Sequence, residues 1–167
     1  MASVWSQIGS DIDGDSYASG ESISLSADSS VVAIGEQNLN GRGLVRIYQN
    51  VNGNWIKIGS DIYGEASNDN SGSAIHLSSD GSVVAIGGYF NDGNGRHSGH
   101  VRIYQNTNGT WTKIGDDIDG EATLDNSGSA VSLSRDGSVV AIGAYGNDGN
   151  GENSGHVRIY QNTNGTW

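Results

Sequence analysis

The sequence predicts an all-β chain made of β-propeller blades. Three four-stranded antiparallel blades per chain, strand-permuted, form part of a larger oligomeric ring. Three observations predict this. Trp5, Trp55, Trp111 and Trp167 recur at spacings of 50, 56 and 56 residues, and units 55–110 and 111–166 agree at 44 of 56 positions. Each unit contains four short strand-like runs. Tight-turn dipeptides separate those runs at matching places. Repetition near fifty residues with four hairpin-linked strands is the signature of a propeller blade.

The third unit illustrates the elements in order. Residues 111–118 form the outer strand, headed by Trp111. Residues 129–134 form the second strand, where Ala130, Ser132 and Ser134 alternate with Val131 and Leu133. Residues 138–143 are an unbroken apolar run, which suits a strand buried on both faces. Residues 156–161 form the fourth strand, with Val157 and Ile159 alternating with Arg158 and Tyr160. Asp80-Gly81 and Asp136-Gly137 mark the hairpin between second and third strands. Asn52-Gly53, Asn108-Gly109 and Asn164-Gly165 mark the hairpin before each Trp. Both dipeptides favour the positive φ of tight hairpins. Unit 5–54 is six residues shorter, and the missing residues fall in loops, where length changes are tolerated. Residues 1–167 thus read as one array with repeats 5–54, 55–110 and 111–166.

Composition narrows the function classes. The chain has 27 Gly, no Pro, no Cys and 34% hydrophobic residues. The apolar residues sit in regular runs such as 83–86 and 101–104, so the Gly content marks turns rather than disorder. A net charge of −11 argues against nucleic acid and anionic membrane surfaces, since both need clustered Lys and Arg. No run reaches transmembrane length, so no membrane insertion is expected. Residues 1–15 hold no apolar signal core. Localisation stays open: cytoplasmic taken literally, extracellular if the chain is excised from a longer secreted protein.

Closed propellers use about four to eight blades, and three cannot close. The chain also starts out of phase. Residues 4–12 are an outer strand without inner partners, and 129–161 lack an outer strand. Unpaired edges pair with other chains. The expected partner is a second copy, through Val4, Trp5, Gln7, Ile8 and Ile12 against Val157 and Ile159. A homo-oligomer follows: a dimer of six blades is favoured, a trimer of nine is the variant, and an open filament forms if the rotation does not close.

Residues 126–144 and 147–160 resemble the FG-GAP-like repeats of integrin-α-type propellers. A Gly-led strand precedes an apolar strand ending Ile-Gly-Ala, then a Gly-rich loop, then Val-Arg-Ile-Tyr. The resemblance runs through all three units. It implies a propeller fold and, by likeness, an extracellular recognition module. Ser73 and Ser129 stand where the family has Phe, and Tyr89 and Tyr145 where it has Pro. The family's calcium loop is not reproduced.

Candidate sites lie on the rim loops. Tyr89, Asp92 and Asn94, with Tyr145, Asp148 and Asn150, begin or fill long loops on a rigid scaffold, where ligands are expected. Oxygens of Asp92, Asn94, Asp148 and Asn150 suit calcium, the one cofactor considered; the competing reading is turn-forming residues chosen for their backbone. The first unit carries residues 37–41 there instead. Asp117, Asp119 and Glu121 alternate, as do Asp11, Asp13 and Asp15, and one cation would hold such a set if they share a side. His76, His97, His100 and His156 read as the polar face of an outer strand. No catalytic residue is predicted, because reactive groups recur in two or three copies and none sits in a nucleophile elbow. The leading function is non-enzymatic binding or scaffolding. The alternatives are a repeated-pocket lectin, using Trp5, Trp55 and Trp111 with Tyr48, Tyr104 and Tyr160, or a structural or designed assembly unit.

Overall fold

The computed structural model describes residues 4–14, 19–36 and 41–167. Asp15 of the first carboxylate set, and most of the 37–41 loop, lie outside them. The fold is all-β and propeller-like, with antiparallel sheets in up-and-down order.

The first sheet runs β1 (Ser19–Leu25), β2 (Val31–Glu36), β3 (Leu44–Val51), with β4 (Asn54–Lys57) and β5 (Ile62–Tyr63) both on the outer edge of β3. The second repeats this as β6 (Ala74–Leu77), β7 (Val83–Gly88), β8 (His100–Thr107), β9 (Thr110–Lys113) and β10 (Ile118–Asp119). The third holds β11 (Ser127–Leu133), β12 (Val139–Ala144) and β13 (His156–Gln161), with no outer strand among the described residues. The outer strand expected over 111–118 is broken. Tyr104 pairs with Lys113 but Val101 with Ile118, so the outer strand carries two residues more than β8 between the two pairings. Gly115, at φ +73°, lies in that break.

The turns form as their residues require. Asn52 and Gly53 (φ 54° and 84°), Asn108 and Gly109 (53° and 84°) and Asn164 and Gly165 (55° and 87°) give consecutive positive φ, the geometry of a type I′ hairpin. In the other hairpin, Asp80 accepts hydrogen bonds from the Ser82 N–H (3.0 Å) and the Ser78 hydroxyl (2.7 Å).

The sheets stack through their apolar faces. Val31, Ala33, Val45 and Ile47 of the first sheet meet Ile75, Leu77, Val84 and Ile86 of the second. On the other side of the second sheet, Val83, Ala85, Val101 and Ile103 meet Leu133, Val140 and Ile142 of the third. Burying each of the Val, Ile and Leu side chains contributes about 1.5–3 kcal/mol. The inner strands β2 and β7 are buried throughout, as their apolar runs predict. β12 is not: Val140, Ile142 and Ala144 are buried while Val139, Ala141 and Gly143 are partly exposed. The first five residues are the same, but among the described residues no further sheet covers the second face.

Candidate functional site

Three features stand out: a tryptophan clasp on the outer rim, loops that knit neighbouring sheets, and two uncovered end faces.

The clasp occurs three times. The indole N–H of Trp55 donates to the Ile8 carbonyl (3.0 Å), Trp111 to Ile58 (3.1 Å) and Trp167 to Ile114 (3.0 Å). Each accepting residue precedes a glycine at positive φ: Gly9, Gly59 and Gly115. A Cβ there would lie 2.5 Å from the carbonyl oxygen of Gly53, Gly109 or Gly165. Each tryptophan therefore ties its own outer segment to the outer segment before it. Clefts of about 430, 350 and 400 Å³ open beside the three clasps; Asp11 and Trp55, Asp61 and Trp111, and Asp117 and Trp167 are among their linings. Tyr104 and Tyr160 line the second and third clefts.

The rim-loop residues are largely occupied in shaping their own loops. The Asp92 carboxylate accepts the His97 N–H (2.7 Å), and Asp148 accepts the Asn153 N–H (2.7 Å). Asn94 donates its side-chain amide to the Gly120 and Glu121 carbonyls (2.8 and 3.2 Å), tying its loop to the next sheet. The Asn150 N–H donates to Ser154 Oγ (3.3 Å). The Tyr89 hydroxyl accepts from Asn70 (3.1 Å), and its ring packs 4.2 Å from Phe90. Tyr145, the equivalent residue, is 58% exposed beside the open face of the third sheet. Among the described residues, neither Asp92 nor Asp148 is gathered with two further acidic or His side chains.

Asp117, Asp119 and Glu121 separate as well. Asp117 Oδ1 accepts Lys113 (2.5 Å), whereas Glu121 turns to the third sheet, 3.6 Å from Arg158 and 3.7 Å from His156. Burial pushes the Asp119 carboxyl up. Burial opposes ionisation of Asp117 too, but His100 and Lys113 outweigh it and hold this carboxyl well below the usual range.

The histidines correct the expectation of an outer-strand face. His76 lies on β6 and accepts the Leu133 N–H at Nδ1 (3.2 Å). His97 sits in a loop at φ 51°. His100 and His156 open β8 and β13, and the His100 side chain is only 1% exposed because a sheet covers both its faces. The sequence signal was there: Leu44 holds that position in the first unit. His100 lies with Glu65 and Asp117 in a group whose ligand atoms fall within 4.8 Å of one another.

The end faces are apolar and open. On the third sheet Val157 is 67% and Ile159 70% exposed, where the matching Val101 and Ile103 are 0% and 1%. On the first sheet Ile23 and Leu25 are 67% and 54% exposed, where Ile75 and Leu77 are 8% and 3%. Residues 4–14 form no strand. Val4, Trp5 and Ile8 are strongly exposed, Gln7 is exposed and Ile12 partly so.

Residues 117–160 match the FG-GAP repeat family, consistent with an FG-GAP-like propeller repeat. No curated protein matches the chain. Among solved structures, a candidate 6-phosphogluconolactonase from Bacteroides fragilis is similar at 17% identity and TM-score 0.58, over 86% of this chain and 35% of that one. A second candidate 6-phosphogluconolactonase, from Bacteroides uniformis, is similar at 16% identity and TM-score 0.57, over 86% and 36%. Hydrazine synthase from Kuenenia stuttgartiensis follows at 12% identity and TM-score 0.51, over 83% and 33%. The chain spans about a third of the length of these structures, and likeness at this identity speaks to fold alone.

Proposed function

We propose that the chain, a propeller-like stack whose residues 117–160 match the FG-GAP repeat family, is a non-enzymatic scaffold that self-assembles head to tail into a ring. The observation that carries this is the match between the open end faces and the two sides of the internal junctions. The third sheet offers Val157 and Ile159, the counterparts of Val101 and Ile103. The first sheet offers Ile23 and Leu25, the counterparts of Ile75 and Leu77, which cover such a face inside the chain.

Glycines support the same reading. A Cβ on Gly35 would lie 2.1 Å from the Gly72 carbonyl oxygen, and one on Gly87 would lie 2.0 Å from that of Gly128. Only glycine permits that approach. The next pair in the series is Gly143 and Gly20. Neither meets another sheet: Gly143 finds Ala130 at 3.4 Å and Gly20 finds nothing within 4 Å. The inner backbone is also an unfinished series, since the Ala27 N–H donates to the Ser79 carbonyl and the Ser79 N–H to that of Arg135 (both 2.8 Å). In the assembly the Arg135 N–H would donate to Ala27 of a second copy.

Docking carries the exchanged strand with it. Trp55 already holds residue 8 beside the first sheet, so residues 4–14 arrive as the outer strand of the preceding third sheet. Trp5 then takes the place beside Ile114 that Trp167 fills in the single chain. Two departures from the internal junctions are visible. Trp167 must yield its place. Ser29, at φ 60°, also stands where Gly81 and Gly137 pack against Val31 and Val83. Two copies supply six sheets and three supply nine, and the dimer is the preferred assembly.

Sedimentation analysis tests this with Ile23→Asp and Ile159→Asp. Each variant alone should be monomeric where the wild type associates. Mixed together, the intact face of one meets the intact face of the other, so a heterodimer should form that cannot close or grow. Such heterologous complementation follows from a head-to-tail contact and not from a two-fold one. A wild type that stays monomeric at every concentration would overturn the proposal.

The repeated clefts favour a second reading, a carbohydrate-binding protein, because each pairs an aromatic face with a carboxylate. A glycan array with the assembled protein tests it: reproducible binding lost on Tyr104→Ala supports the reading, and no binding defeats it.

A further inference from the structure

We propose that Glu65, His100 and Asp117 form a binding site for a divalent transition-metal cation of the zinc class. His100 is the starting point. Its side chain is 1% exposed, neither ring nitrogen makes a hydrogen bond of ordinary length, and its Nδ1 meets Asp117 only across a long ion-pair contact. Buried polar groups are nearly always partnered, and leaving one unpaired is costly. Its Nδ1 faces Asp117 Oδ2 at 3.5 Å. That is longer than an N–H···O hydrogen bond of about 2.7–3.2 Å. Two ligands bound to one tetrahedral ion at about 2.0–2.1 Å lie roughly 3.3–3.4 Å apart. The separation is thus close to what a shared ion imposes.

Glu65 supplies the third ligand from the loop after β5, so the site spans the junction between the first and second sheets. The surrounding cations orient the carboxylates. Lys113 engages Asp117 Oδ1, leaving Oδ2 towards the imidazole, and Arg102 Nη1 lies 3.5 Å from Glu65 Oε1. This is the outer-shell support that metal-binding carboxylates use. The Lys113 side chain is 37% exposed, so its ammonium can turn into water when an ion adds positive charge. Gly88 makes room for the ring, since a Cβ there would sit 3.0 Å from His100 Nε2. One imidazole with two carboxylates suits zinc, cobalt or nickel. It is a poor set for calcium, which takes six to eight oxygens.

The first sheet lacks the site. Leu44 replaces His100, and Glu36 replaces Gly88 to pair with Arg46 at 3.0 Å. The third sheet keeps His156 and Glu121, 3.7 Å apart. There the position of Asp117 corresponds to Asp11 in the repeat, so in the head-to-tail assembly Asp11 of a second copy would complete a further site. The Glu65–His100–Asp117 site is complete within one chain and does not depend on assembly.

The test uses the full chain carrying Ile159→Asp, which removes association from the measurement. Cobalt(II) should give the visible absorption of a low-coordinate nitrogen–oxygen site at one ion per chain. Zinc(II) at about a hundredfold above its Kd should raise Tm by roughly 5 °C or more. His100→Leu, which installs the residue of the first sheet, and Asp117→Asn should both lose the absorption and the shift. Absence of both signals from the parent, or their persistence in His100→Leu, would overturn the site and leave the assembly proposal untouched.

Discussion

Replacing Gly87 and Gly143 each by Ala separates what the stack needs internally from what it offers outside. The two glycines hold the same place in neighbouring inner strands. At Gly87 the new Cβ would lie 2.0 Å from the Gly128 oxygen. Reaching even 3.0 Å means parting two backbones by at least 1.0 Å, in a junction where both strands are fixed by their ladders. Overpacking of this kind costs about 1–3 kcal/mol, and backbone on both sides places it near the upper end. The lower chain entropy of Ala returns about 0.5–1 kcal/mol. The net loss is about 2 kcal/mol, or roughly 4–8 °C in Tm for a chain of this length. At Gly143 the nearest atom is the Ala130 Cβ at 3.4 Å, so only the entropic gain remains and Tm should rise by roughly 1–4 °C. Thermal unfolding followed by circular dichroism, at concentrations where the chain is monomeric, measures both. At higher concentration Gly143→Ala should weaken association about 30-fold, because the docked sheet meets the clash that Gly87→Ala creates within the chain. Equal Tm shifts for the two variants, or undiminished association by Gly143→Ala, would refute the reasoning.

Other expectations follow from the same contacts. Trp111→Phe removes the indole hydrogen bond to Ile58 and should cost about 1 kcal/mol or somewhat more, read as a lower urea midpoint with unchanged slope. Trp167→Ala should strengthen association by emptying the place that Trp5 needs, while Trp5→Ala should weaken it; sedimentation of both variants checks the pair. Ser29→Gly relieves a positive φ and clears space for Val139 of a docking copy, so both Tm and association should rise. Acid should destabilise the fold. The Ser30 N–H and Ser26 hydroxyl hold Asp28 down to about 2, and the Ser134 hydroxyl and Ser138 N–H do the same for Asp136. A depressed folded-state value gives stability that is full above the ordinary 3.8 and lost as pH falls towards 2. Tm measured from pH 5 to pH 2 should fall in that window, and Asp136→Asn should fall less steeply.

The sequence by itself determined the all-β class, the repeat and the hairpins. These are local matters: Asn-Gly and Asp-Gly set turns wherever they occur, and strands 139–144 and 156–161 carry their pattern in a few consecutive residues. Tertiary structure decided the burial of those patterns. Val101 and Val157 are one residue in sequence logic, yet one is sealed and the other open, because burial depends on which sheet lies alongside. His100 looked like a surface residue for the same reason. Its neighbours Glu65 and Asp117 come from segments 35 and 17 positions away in sequence; the pairing of β10 with β8 brings Asp117 alongside, and only the stacking of the first sheet on the second brings Glu65.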